Sequence, residues 1–173
     1  AMGRATLYRW LDRHGLGATP ARPIGGRYQL IAPLGEGGQA RVFAARDRVH
    51  AGHRCVVKLF KASPRDSTAH KRAMQEFRVL SRLRHPGLVR VLDAGVDTVS
   101  HDRYVVMEWV EGTHFLDAAR DASPEWIMRT LRQALRAVAH LHQHGLIHRD
   151  LKSENLLVDA RDLAQPAYVT VMD

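Results

Sequence analysis

The sequence predicts an α+β fold in which short strands dominate the first half and helix the second. Three observations carry that expectation. Five short β-rich runs lie at 28–34, 41–45, 54–60, 88–92 and 103–110. One helical stretch, 67–84, separates the third from the fourth and places Ala73, Phe77, Leu80 and Leu83 on one face. A long amphipathic helix follows after Ser123. With 173 residues, 45% of them hydrophobic, the chain can bury a real core and is near the size of one domain.

Taken in order, residues Thr6 to His14 carry Leu7, Trp10 and Leu11 at helical spacing, and Gly15, Gly17, Pro20 and Pro23 then break the pattern. This predicts a short amphipathic helix and a linker over 1–26, with the apolar face docked on its own chain or on a partner. From Arg27 the strands begin. Gly95 and the polar residues Asp97 to Asp102 supply a hairpin turn between the fourth and fifth. Ser123-Pro124-Glu125 gives a helix cap, a proline suited to the first turn and an acid favoured by the dipole. The helix runs through Leu131, Leu135, Val138 and Leu141 and stops at Gly145. A β-hairpin is expected from 156–158 and 168–172.

Charge and cysteine content narrow the partners. The formal charge of +8 could suit nucleic acid, but the 22 arginines and four lysines are scattered along the sequence, which reads as a solvated surface and argues against a nucleic-acid partner. Two of the four lysines, Lys58 and Lys152, fall in motifs described below. Cys55 is the single cysteine, so no internal disulfide forms, and a reducing, cytoplasmic location is expected. No apolar run is long enough to span a bilayer, and no signal-peptide core is present.

His148-Arg149-Asp150-Leu151-Lys152-Ser153-Glu154-Asn155 fixes a carboxylate, an ammonium and a side-chain amide within eight residues. The run resembles the catalytic loop of a protein kinase. Phosphoryl transfer needs groups that position a nucleophile and neutralise oxygens, and these are such groups. The resemblance implies that Asp150 orients the substrate hydroxyl, Lys152 lies beside the transferring phosphoryl group and Asn155 holds a Mg²⁺. Lys152, two residues after the acid, points to serine/threonine specificity. Arg149 implies control by a phosphorylated activation segment.

Upstream motifs fit the same family. Gly35-Glu36-Gly37-Gly38-Gln39-Ala40-Arg41-Val42 joins two predicted strands and resembles the glycine-rich loop, with Ala40 replacing the third glycine and Gln39 the aromatic tip. Glycines allow backbone N–H groups to approach phosphate oxygens. Lys58 sits amid the apolar run Cys55-Val56-Val57-Lys58-Leu59-Phe60, where a buried ammonium needs an acid. Glu76, on or beside the stripe of the first helix, is the candidate, and an exposed Glu76 paired with Arg72 is the alternative. Met107, Glu108 and Val110 resemble the hinge that receives adenine. Leu34, Val42, Val56, Met107 and Leu157 would line the apolar slot, with Val56 in place of the usual alanine. Asp173 stands where a kinase places the metal-binding aspartate of its Asp-Phe-Gly motif. His140, His142, His144 and His148 invite a zinc reading, but such a site needs further ligands, and His148 belongs to the catalytic-loop motif.

From about Tyr28 to Asp173 the chain therefore resembles a eukaryotic-like (Hanks-type) serine/threonine protein kinase with a bacterial flavour. The resemblance implies a five-stranded antiparallel sheet plus one helix as N-lobe and hinge over 27–112. It implies the first part of a helical C-lobe over 113–173. The expected activity of the full-length protein is ATP- and Mg²⁺-dependent phosphorylation of Ser/Thr in protein substrates. The segment in hand, whose motifs run out at Asp173, is expected mainly to bind nucleotide. A non-catalytic, pseudokinase-like binding module is the alternative.

Overall fold

The computed structural model describes residues 22–37, 40–60, 77, 79–158 and the backbone of 167–169. They fall into two compact units, one drawn from Met2–Ser81 and Val91–Trp109, the other from Arg82–Arg90 and Val110–Asp173. In the first unit, β1 (Tyr28–Glu36), β2 (Ala40–Asp47), β3 (Arg54–Phe60), β4 (Val91–Val96) and β5 (Arg103–Glu108) form a sheet in the order β1-β2-β3-β5-β4. Every neighbouring pair is antiparallel. The second unit holds β6 (Thr113–His114), α1 (Phe115–Ala119), α2 (Pro124–Gln143), a 3₁₀ turn at Ser153–Asn155, β7 (Leu156–Val158) and β8 (Ala167–Val169). Its three strands make a small antiparallel sheet in the order β6-β7-β8. The α+β class and the five-stranded antiparallel sheet are as expected.

Strand β3 shows why the sheet forms. Cys55, Val57 and Leu59 are buried, whereas Val56, Lys58 and Phe60 are half-buried, a strict period of two built from residues that favour extended backbone. The fully covered face gathers Tyr28, Leu30, Phe43, Ala45, Cys55, Val57, Leu59, Tyr104 and Val106 with Ile24 from the segment before β1. Pro33 lies in β1, an edge strand where its missing N–H costs no central ladder bond.

Two buried aspartates tie the turns down. Asp47 accepts from Arg27 Nε at 2.8 Å and Nη2 at 2.7 Å and from the Val49 N–H at 3.0 Å. The Arg27 guanidinium holds its carboxyl well below the usual range. Asp97, between β4 and β5, accepts from Arg22 Nη1 at 2.9 Å, Gly25 N–H at 3.1 Å, Ser100 N–H at 2.8 Å and Ser100 Oγ at 2.9 Å. Arg22 Nη2 donates to its other oxygen. Residues ahead of β1 are thus built into the first unit.

Some boundaries differ from the sequence expectation. The fourth strand is Val91–Val96, not 88–92, because Pro86 and Gly87 turn the chain and the Leu88 N–H bonds back to the His85 carbonyl at 3.0 Å. Gly95 therefore belongs to a strand, not to the hairpin turn. Asp93 is accommodated there because its carboxylate accepts from Tyr28 Oη at 2.6 Å. The fifth strand ends at Glu108 instead of 110, and Leu83 follows the first predicted helix instead of lying within it. The second arm of the last hairpin begins at Ala167. The remaining described expectations hold more closely. Ser123 Oγ accepts from the Trp126 N–H at 3.2 Å, Pro124 opens α2, and Gly145 at φ +73° ends it, with the Leu146 N–H bonded to the Leu141 carbonyl. The predicted helix at 6–14, most of that at 67–84, and Gly38, Gln39, Glu76 and Asp173 lie outside the described residues.

Candidate active site

In the second unit, the turn after α2 delivers the residues expected of a catalytic loop. His148 is buried, which anchors the loop, and the next residue, Arg149, has left-handed backbone at φ +61°. Asp150 N–H then donates to the His148 carbonyl at 2.8 Å, closing a tight bend. The bend brings three of the expected residues together. Lys152 Nζ lies 2.7 Å from Asp150 Oδ2. Asn155 Nδ2 donates to the Asp150 carbonyl at 2.7 Å and to Oδ2 at 3.1 Å. The Lys152 ammonium first, with the Asn155 amide in support, holds the Asp150 carboxyl below its usual range. Asp150 is therefore an ionised acceptor at neutral pH, and Asn155, with Nδ2 committed to Asp150, has its amide oxygen as the atom suited to a hard cation.

Strand β7 continues directly from the loop. Leu156 and Val158 are buried and Leu157 is half-buried between them, paired with His114 of β6 and Tyr168 of β8. Gly112 stands where an added Cβ would lie 3.0 Å from the Val158 carbonyl oxygen, so a side chain would crowd β7. Strand β6 and helix α1 were not expected: two and five residues carry too little periodicity to be read. Phe115 and Trp126 stack with centroids 6.2 Å apart, fixing α1 against α2. Val110 is half-buried in this unit.

The first unit assembles the other half of the predicted residues on one face of its sheet. Register pairs Val42 with Lys58 and Lys58 with Val105, and beside that row it pairs Ala44 with Val56 and Val56 with Met107. Residues paired in this way project from the same side. Val42, Val56, Lys58 and Val105 are half-buried, so this face is less covered than the opposite one. Lys58 Nζ also lies 5.1 Å from the Phe60 ring centroid. Leu34 and Gly35 lie near the end of β1, with Gly35 opposite Val42, and the Gly37 N–H donates to the Ala40 carbonyl at 2.8 Å in the connection to β2. Glu108 ends β5 opposite Cys55.

Phosphate approach to this connection can be tested from its shape. A Cβ built on Gly35 meets nothing within 4 Å, and one on Gly37 meets only the Ala40 oxygen at 3.8 Å. The backbone is bare there, as an anion-receiving loop requires. A bound nucleotide and cation fit the residue types present. No group of three or more His, Cys, Asp or Glu side chains among the described residues is arranged to hold a metal on its own. His144 Nδ1 instead lies 2.8 Å from the His140 carbonyl oxygen.

Comparison with known proteins matches this geometry. The protein kinase domain family matches residues 28–172. The chain is 38% identical over 146 residues to the DNA damage-responsive serine/threonine-protein kinase RqkA of Deinococcus radiodurans, covering 82% of the chain and 21% of RqkA. It is 32% identical over 140 residues to the serine/threonine-protein kinase PrkC of Bacillus subtilis, covering 79% of the chain and 21% of PrkC. The chain thus spans about a fifth of the length of these relatives. The crystal structure of Rad53 1–466 in complex with AMP-PNP superposes with a TM-score of 0.71 at 29% identity, covering 86% of this chain and 39% of that one. By sequence match and by fold, the chain belongs to the protein kinase family, of the eukaryotic-like serine/threonine kind.

Proposed function

We propose that the full-length protein transfers the γ-phosphoryl group of ATP to serine or threonine side chains of proteins. The observation that carries this reading is the Asp150–Lys152–Asn155 cluster, with Nζ and Oδ2 at 2.7 Å and both Nδ2 bonds directed at Asp150. The names of RqkA and PrkC, and the AMP-PNP bound to Rad53, support it. In this reading residues 27–112 are the N-lobe and hinge and 113–173 the first part of the C-lobe.

Asp150, ionised at neutral pH, accepts and orients the hydroxyl proton of the substrate. Lys152 would add positive charge where the phosphoryl oxygens pass, and Arg149 would bind the phosphate of a phosphorylated activation segment. The glycine-rich connection with Gly35, Gly37 and Gly38 would let phosphate approach the backbone closely. Lys58, with Glu76 as its candidate acid, would hold the α- and β-phosphates. Glu108 and Val110 bond adenine through their backbone, and Leu34, Val42, Val56, Met107 and Leu157 cover it. Asn155 and Asp173 would hold a Mg²⁺, which would supply charge neutralisation at the phosphate oxygens.

The test is phosphate transfer from labelled ATP with Mg²⁺ to a Ser/Thr-containing protein, comparing full-length protein with its Asp150→Asn and Lys58→Met variants. Transfer should fall by about a hundredfold or more in each. Equal transfer by all three would remove the catalytic assignment.

A further inference from the structure

Three histidines away from the Asp150 cluster stack side by side in the second unit. The ring centroids of His85 and His140 lie 5.1 Å apart, and those of His140 and His144 lie 4.5 Å apart. His140 is in the last turn of α2 and His144 caps it. His85 comes from the segment Arg82–Arg90, which leaves the first unit after Ser81, joins the second and returns to the first at Val91. Hydrogen bonds fix where the protons sit on two of the rings. The Gly87 N–H donates to His85 Nδ1 at 3.0 Å, so that nitrogen is bare and His85 is neutral. The His140 carbonyl oxygen can only accept, so His144 Nδ1, 2.8 Å away, carries a hydrogen. Protonation therefore spares the His144 bond and destroys that of His85. Gly87, Leu88 and Val89 are buried, and the Gly87 N–H would be left without its acceptor.

We infer that the His85–His140–His144 stack is a proton-sensitive latch, which fastens residues 85–89 to α2 when neutral and frees them on acidification. The surrounding charge favours release. Among the described residues no carboxylate pairs with any of the three rings. The other charged groups of the segment are Arg82, Arg84 and Arg90, and α2 adds Arg136 one turn before His140 and His142 beside it. The one acid of α2, Glu125, is about 22 Å from His140 along the axis. Strand β8, which packs on α2, brings Ala167, Tyr168 and Val169, and the chain beyond the cap brings His148 and Arg149. Burial first, and His140 second, hold His85 below the ordinary histidine value. Its stabilising effect is thus full above the unfolded value of about 6.5 and is lost as pH falls from there toward the folded-state value.

The experiment is amide hydrogen exchange of the full-length protein at pH 7.5 and pH 5.0, read by mass spectrometry on peptides spanning residues 84–90 and corrected for intrinsic exchange rates. Protection of this segment should fall about fivefold at the lower pH, while peptides from β3 change less than twofold. In His85→Asn the amide oxygen can accept the same Gly87 N–H at either pH, so the loss should shrink to less than twofold. His140→Phe keeps an aromatic ring beside His85 but removes the charge, and its loss should be about twofold; this variant keeps the test decisive if His85→Asn does not fold. The latch is overturned if wild-type protection of 84–90 does not change with pH, if β3 loses protection equally, or if either variant shows the full wild-type loss.

Discussion

Replacing Asp97 by asparagine tests the claim that the segment before β1 is part of the first unit. The carboxylate is 1% exposed and collects donors from Arg22, Gly25 and Ser100. Asparagine keeps one acceptor oxygen but turns an NH₂ toward the other donors. Buried charge-assisted hydrogen bonds are worth about 1.5–3 kcal/mol each, but the Arg22 side chain is 39% exposed, so its share is discounted heavily. We expect a loss of about 2–4 kcal/mol, or about 5–15 °C in Tm, in melts followed by circular dichroism. The sign with pH is also fixed. Pairing with Arg22 lowers the folded-state pKa of Asp97, so its stabilisation is fully present above the unfolded value of about 3.9 and fades as pH falls toward the folded one. The gap between wild type and Asp97→Asn should therefore be constant from pH 6 to 8 and close below about pH 4. A variant melting within about 1 °C of wild type at pH 7 would refute the reasoning.

Gly95→Ala should destabilise the first unit by about 1–3 kcal/mol in urea titration, because the new Cβ would lie 2.7 Å from Tyr104 Oη and that ring is itself buried. Ser123→Ala should cost about 1 kcal/mol by removing the cap of α2, read as a Tm lower by about 2–4 °C; an unchanged Tm would show that Pro124 and Glu125 start the helix without it. Cys55, 1% exposed and with burial pushing its thiol up to about 11, should be silent to a thiol reagent at pH 8 and react fully in denaturant. Rapid reaction of the folded protein would contradict its place in the core.

The parts of the fold that were legible in the sequence are those whose signal is local. Alternation in β3 and the Ser-Pro-Glu cap of α2 can be read residue by residue, and the Asp150, Lys152 and Asn155 cluster spans six positions. Strand β4 was misplaced because Asp93 and Gly95 spoil its alternation, and what accommodates them is Tyr28, 65 positions away, and Tyr104 on the following strand. The importance of Asp97 was hidden for the same reason, since Arg22 lies 75 positions away.

Arg149 shows what a catalytic loop asks of its scaffold. A left-handed backbone costs a residue with a Cβ about 1 kcal/mol or more, and glycine would occupy φ +61° without that penalty. A sequence chosen for thermal resilience alone would be drawn toward glycine there, at the loss of the guanidinium. The bend is held against that preference by buried His148 on one side and by the Asn155–Asp150 bonds on the other. On the proposed function, durability and activity compete at a single position, and a search for hardier variants that ignores phosphate transfer would be drawn to Arg149.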